Sequence, residues 1–81
     1  MKYKDNIPIP KILMFEVESS NIKAIGYDKA TLTLRLQFKS SNILYNYKGV
    51  SPELYYEFSA SDSKGKFYFT KIKGRFDFDK T

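Results

Sequence analysis

The alternation of hydrophobic and polar positions is most regular in the segment TLTLRLQF, residues 31–38. Its even-numbered residues are apolar and its odd-numbered residues are polar, which is the period of a strand with one buried face. Residues 21–27 carry Ile22 and Ile25 in a weaker pattern, and residues 28–30 form the turn of a hairpin. Gly26 indicates a β-bulge or a close approach of another backbone segment.

A further strand follows a turn formed by KSSN at residues 39–42. In ILYNYKG, residues 43–49, one face carries Ile43, Tyr45 and Tyr47, and the other carries Asn46. The strands therefore form an antiparallel meander. Residues 1–11 precede it as an extended lead-in because their prolines lack amide donors, and ILMFEV, residues 12–17, is a short edge strand or a packed arm.

Helical signals begin after the meander. Ser51 is a good N-cap, Pro52 suits the first helical position and Glu53 complements the helix dipole. Together with apolar residues at helical spacing up to Phe58, they predict a helix over residues 52–60.

The last segment, SKGKFYFTKIKGRF at residues 63–76, has two interpretations. Its Phe, Tyr, Thr and Ile residues have the propensity of a strand. Its spacing is helical, because Tyr68, Ile72 and Phe76 recur every four residues and Gly74 is a suitable helix end. The local pattern leaves both open.

Composition narrows the range of functions. The 81 residues make one domain, without cysteine or histidine, so disulfides, thiolate metal sites and the commonest neutral-pH base are excluded. The nine carboxylates are scattered, and we expect no enzyme, metal or cofactor. Fourteen Lys and Arg residues give a net charge of +5, which favours an anionic partner but also serves solubility. No apolar stretch approaches the roughly 18 residues of a membrane span, and Asp5 interrupts the N-terminal run, so we expect a cytoplasmic protein without a signal peptide.

The segments resemble, in order, those of the KTSC domain, a small module named for the C-terminus of some lysyl-tRNA synthetases. The similar stretches are SSNIKAIGYD at 19–28, LTLRLQF at 32–38, YNY at 45–47, GVSPELYYEF at 49–58 and SKGKFYFTKIKGRF at 63–76. The last is similar to the family pattern Ser-x-Gly-x-Tyr-Phe-Asn-x-x-Ile-Arg, except that Phe69 stands where the family often has Asn.

The resemblance implies an α+β fold in which a small antiparallel meander of three to four strands is followed by two short α-helices. It favours a helix over residues 64–73. We expect an arm or edge strand at 1–16, one KTSC-like domain at 17–78 and a tail at 79–81. The family's attachment to a synthetase implies RNA binding, with tRNA among the candidate ligands.

Several residues are candidates for such an interface. Tyr45, Tyr47 and Tyr68 can stack on bases, or else belong to the core. Arg35 is expected on the outward face of its strand, where it extends the positive surface. In a continuous α-helix, Lys64, Lys71 and Arg75 fall within about 60° of one another. The other interpretation is that all five cations of this segment are solvated charges. The cations are Lys64, Lys66, Lys71, Lys73 and Arg75.

Ser63 and Gly65 offer an anion site at a helix start, or a plain N-cap. A second hypothesis is a protein-interaction module of a bacterium or phage that docks an acidic partner. It relies on the proline-punctuated arm at residues 7–14, which can pair with another sheet edge. We expect a monomer or weak dimer.

Overall fold

The computed structural model describes residues 12–81, which form a five-stranded antiparallel sheet with two helical regions packed on one face. The α+β prediction is confirmed, with more strands than the three to four expected. In chain order the elements are β1 (Phe15–Glu16), β2 (Ile22–Asp28), β3 (Thr33–Phe38), β4 (Leu44–Lys48), α1 (Pro52–Ala60), α2 (Lys64–Phe67), a π-helical segment (Tyr68–Ile72) and β5 (Phe78–Lys80).

The strands follow one another across the sheet in sequence order. Between β2 and β3 the register shifts by one residue, since Ile22 pairs with Phe38 but Ile25 pairs with Leu36. This bulge adds one residue to β2 and so turns both isoleucines towards the helices. The extra residue is Lys23, between Ile22 and Ala24, so the bulge that was one of the two interpretations of Gly26 lies elsewhere.

Leu32 departs from the predicted alternation. Its backbone has φ of +56° and its side chain is exposed, although the pattern assigned it to the buried face with Leu34 and Leu36. The strand starts only at Thr33, because Leu32 belongs to the turn and its carbonyl accepts a hydrogen bond from the Val50 amide.

The core lies between the sheet and the helical regions. Phe58 is the one fully buried contribution of α1, and Tyr68 and Ile72 come from the π-helical segment. Phe76 is half-buried against them, as predicted, although it lies beyond the end of the helix at Ile72. The buried cluster consists of Ile22, Ile25, Leu34, Leu36, Tyr47, Val50, Phe58, Tyr68 and Ile72.

Helix α1 confirms the sequence prediction over residues 52–60. The Ser51 hydroxyl accepts a hydrogen bond from the Leu54 amide at 3.1 Å, and Pro52 occupies the first helical turn. At the other end the Ser61 amide donates to the Phe58 carbonyl. The ends of α1 are thus satisfied by its own neighbours in sequence.

Residues 64–72 form one continuous helix, here called the C-terminal helix, made of α2 and the π-helical segment. A helix was predicted here, but not its change from α to π geometry. The helix ends at Ile72 because Lys73 is extended and Gly74 has φ of +77°. Gly74 therefore closes the helix, as its left-handed backbone suits glycine.

Both ends of the described chain belong to the sheet. β1 pairs antiparallel with β2 and is the edge strand expected near residues 12–17. β5 pairs with β4, so Asp79 and Lys80, predicted to be a tail, are strand residues. The Lys48 ammonium lies 2.7 Å from the Asp79 carboxylate across this pair. The predicted lead-in at residues 1–11 lies outside the described residues.

Candidate nucleic-acid interface

The C-terminal helix presents a polar and basic side to solvent. Tyr68 and Ile72 face the core, whereas Lys66, Phe69 and Lys71 are exposed. The first turn is apolar only at Phe67, whose ring lies 5.4 Å from that of Phe58 on α1. Those inward contacts fix which residues the helix turns outwards.

The predicted cations differ in their surroundings. Lys64 is half-buried, and its ammonium donates a hydrogen bond to the Ser61 carbonyl at 2.9 Å. The other four are exposed. The ion pair found within residues 12–81 does not involve them, since it joins Lys48 to Asp79. No acidic residue occurs from Ser63 to Phe76. The exposed cations are Lys66, Lys71, Lys73 and Arg75.

The π-helical segment distributes these charges over two flanks. The Lys73 ammonium lies 4.9 Å from the centre of the Phe69 ring, on one flank. Lys71 follows Phe69 by two residues and so points to the other flank. Arg75 lies beyond the end of the helix at Ile72. The continuous α-helix on which the expected grouping of Lys64, Lys71 and Arg75 was based is therefore not present.

Two of the predicted stacking tyrosines belong to the core. Tyr47 and Tyr68 are 2 % and 7 % exposed, and their hydroxyl oxygens are 2.6 Å apart. Burial, followed by the hydrogen bond to Tyr68, raises the pKa of Tyr47 above its ordinary value. The prediction that these rings stack on bases is wrong, because neither has a free face.

Tyr45 is half-buried on the same face of the sheet. Its ring centre lies 5.4 Å from that of Phe38 and 5.8 Å from that of Phe78. The Lys80 ammonium lies 5.7 Å from its centre. The Tyr45 ring is therefore mainly in contact with side chains of the domain itself.

Arg35 had been predicted to extend the positive surface, and the structure shows that it does not. It is 8 % exposed, and its Nε donates a hydrogen bond to Asn46 Oδ1 at 2.6 Å. The residue opposite Arg35 on β2 is Gly26. A Cβ atom added to Gly26 would lie 2.8 Å from Ile12 Cγ2. Residues 12–14 therefore cross this helix-free face of the sheet, which confirms the close approach at Gly26.

The predicted anion site at the helix start is taken up by protein contacts. Ser63 is the N-cap residue of the helix, as the alternative interpretation predicted, but its side chain makes no capping hydrogen bond. A Cβ atom on Gly65 would lie 2.6 Å from Asn21 Oδ1. The glycine thus allows the helix to approach the start of β2, and Lys64 turns back to Ser61.

Comparison with known proteins agrees with this architecture. The family model of the KTSC domain matches residues 18–76. The chain belongs to the KTSC domain family.

Relatives of this KTSC domain include free-standing proteins and parts of larger ones. A KTSC domain protein from Yersinia pestis has a crystal structure that superposes with a TM-score of 0.83, at 35 % identity over 88 % of this chain and 99 % of that one. A protein of Tsukamurella paurometabola is 41 % identical over 63 residues, 78 % of this chain and 92 % of its own. A lysine–tRNA ligase of Nostoc punctiforme is 32 % identical over 98 % of this chain, which spans 14 % of the ligase.

The described part of the KTSC domain includes no helix that is long and apolar enough to cross a membrane.

The exposed aromatic of the interface is Phe69, which sequence reasoning did not select. Three rings follow one another at 67–69, and a helix cannot turn all of them inwards. Tyr68 shares the inward stripe of Ile72, so Phe69 is the ring about 100° away from that stripe. This spacing is the signal that would have found it.

Proposed function

We propose that this KTSC domain is a non-catalytic module that binds RNA through the C-terminal helix and the turn after it. The supporting observation is the set of four exposed cations at residues 66–75, in a segment without acidic residues. Ammonium and guanidinium groups on a convex surface neutralise phosphates without reading base edges. The proposed binding therefore has little sequence preference.

The relatives add a candidate ligand. The Nostoc ligases carry a region similar to this chain and act on tRNA, as their names state. We extend this to the present chain as a proposal: tRNA is the first structured RNA to be tested. The proposal implies a cytoplasmic location, where RNA is translated.

The dependence of RNA affinity on salt concentration tests whether the exposed cations contact phosphates. If the four exposed cations each neutralise one phosphate, the logarithm of the association constant falls with the logarithm of salt concentration with a slope of about −2.8 on a single strand. We would titrate tRNA and a labelled 12-nucleotide oligo(U) at two salt concentrations, and follow backbone amide shifts. The amides of residues 63–76 should shift most.

A matched pair of charge reversals localises the contact. Lys73→Glu should weaken binding and reduce the salt slope by about 0.7 for the phosphate lost. Lys29 is exposed in the turn between β2 and β3, so Lys29→Glu makes the same change of charge elsewhere. Equal effects of the two variants, or no amide shifts at 63–76 in low salt, would exclude the proposed interface.

A protein partner is a second candidate, favoured by the sheet edge at β1. Leu13 and Phe15, just before and in β1, are 73 % and 56 % exposed. Exposed apolar residues beside an edge strand are suited to pairing with another chain. Leu13→Ser/Phe15→Ser should abolish self-association or partner capture without changing RNA affinity.

A further inference from the structure

We infer that the RNA is bound as a single strand, with one unpaired base stacked on Phe69 and its neighbouring phosphates on Lys66 and Lys73. This inference rests on the proposed function and specifies the ligand of the same surface. It assigns a role to Phe69, which stands at a position where the resembled family pattern often has Asn.

Phe69 is the exposed ring in the row of three aromatics at 67–69. It is 56 % exposed, whereas Phe67 is half-buried and Tyr68 is 7 % exposed. A large apolar side chain in that position exposes surface that a ligand can cover. Phe69 is exposed because the adjacent rings of Phe67 and Tyr68 occupy the positions that face the core.

The Phe69 ring contacts a ring that is itself buried and hydrogen-bonded. Its ring centre lies 5.6 Å from that of Tyr68, in an edge-to-face arrangement. Tyr68 is in turn held by its hydroxyl contact with Tyr47 and by an edge-to-face contact with Phe38. A ring held in this way needs little ordering when a base stacks on it.

Cations flank the ring along the helix. Lys66 precedes Phe69 by three residues and Lys73 follows it by four, spacings that bring side chains together on one side of a helix. The Lys73 ammonium lies over one face of the Phe69 ring, 4.9 Å from its centre, so the base stacks on the other face or takes the place of the ammonium. Both lysines are placed for the phosphates of a nucleotide whose base covers Phe69, while Lys71 is on the other flank.

A duplex does not fit this arrangement. Its base faces are covered by stacking, and the base edges in the deep major groove of an RNA helix are out of reach of side chains. A lone ring on a convex helix contacts a base only where the strand is unpaired. Because every base has a π-face, the stacking itself is tolerant of sequence.

The test compares ligands of equal length by fluorescence anisotropy: a 12-nucleotide oligo(U), the same sugar–phosphate chain without bases, and a 12-base-pair RNA duplex. The wild-type protein should prefer oligo(U) to both. Phe69→Ala and Phe69→Leu should weaken oligo(U) binding about 5- to 150-fold, with an unchanged salt slope, because stacking releases no counterions. Binding to the abasic chain should not change, and Phe69→Tyr should retain wild-type affinity.

Tyr56 provides the matched control. It is 74 % exposed on α1, so Tyr56→Ala removes an exposed ring from the other helix and should leave binding unchanged. Thermal unfolding of each variant checks that the fold is retained.

The outcomes separate the two proposals. If Phe69→Ala binds oligo(U) like the wild type while Lys66→Glu/Lys73→Glu binds weakly, RNA binding stands and the stacking inference is overturned. Tighter wild-type binding to the duplex than to oligo(U) also overturns it. If Lys66→Glu/Lys73→Glu has no effect on any of the ligands, both proposals fail.

Discussion

The two helical regions pack on the same sheet, yet they are specified in different ways. α1 has a side-chain N-cap from Ser51, a proline in its first turn and regular α geometry. The C-terminal helix has no side-chain cap at Ser63, and it changes to π geometry after four residues. Local sequence signals determine α1, whereas contacts with the core hold the C-terminal helix in place.

Their contacts with the sheet differ in kind. Tyr55 of α1 stacks on Tyr27 with ring centres 4.6 Å apart and planes 9° from parallel. Tyr68 of the C-terminal helix meets Tyr47 through a buried pair of hydroxyls. Ring stacking tolerates loss of a hydroxyl, but a buried hydroxyl pair does not tolerate loss of one member. The region proposed for RNA binding is thus the one that relies more on tertiary contacts.

The largest expected effect is on the anchor of the C-terminal helix. Ile72 is fully buried, so Ile72→Ala should lower the free energy of unfolding by about 2–5 kcal/mol. Chemical denaturation gives this value. Hydrogen exchange should show a larger loss of protection at 64–72 than at 52–60. The half-buried Leu54 on α1 is the control, and an equal cost of Leu54→Ala would contradict the contrast.

The hydroxyl pair gives the next effect. Tyr68→Phe leaves the Tyr47 hydroxyl buried without this partner, at a cost of about 1–3 kcal/mol. The double variant Tyr47→Phe/Tyr68→Phe should cost less than the sum of the single ones, as measured by urea unfolding. Tyr55→Phe should change stability by less than about 0.5 kcal/mol, because its stacked ring is kept. Strict additivity would show that the hydroxyls do not interact.

Alkaline pH should weaken the same contact. The folded state raises the pKa of Tyr47, while the unfolded chain ionises at its ordinary value of about 10. The corresponding stability is complete below pH 10 and is lost above it, by up to about 1.4 kcal/mol per pH unit. Unfolding measured at pH 9, 10 and 11 should show this fall. Tyr47→Phe should show a shallower one, and parallel curves would contradict the assignment.

The smallest effects compare the two serines at the helix starts. Ser51→Ala should cost about 1 kcal/mol, because the Leu54 amide loses its acceptor. Ser63→Ala should cost less than about 0.5 kcal/mol, since its side chain makes no capping hydrogen bond. Thermal unfolding of the two variants side by side gives both values. A larger cost at Ser63 would reverse the comparison.

The sequence predicted those elements whose determinants are local. α1 was predicted with its observed bounds because its cap, proline and apolar spacing lie within ten residues. β5 was missed, since it has three residues and its partner β4 lies some thirty positions earlier in the chain. The helical face of the C-terminal segment was predicted, but its change to π geometry was not, because the four-residue spacing does not indicate it.

In the candidate site, too, features with local determinants were predictable, and features that depend on distant segments were not. Exposure of Lys66, Lys71, Lys73 and Arg75 was predictable from their charge. The face of Arg35 was also predicted, because strand alternation determines it, but its burial depends on residues 12–14 crossing that face. Such a crossing joins segments that are distant in sequence and leaves no periodic trace.

The strand β5 covers the outer edge of β4. Without it, the unpaired amides and carbonyls of β4 would form a sheet edge beside the aromatic rings of Tyr45 and Tyr47, a combination that templates aggregation. With it, the outer edge is a strand of three residues that carries the charges of Asp79 and Lys80. A short charged edge recruits other chains poorly, so this side of the sheet is less open to strand pairing than a bare β4 edge would be.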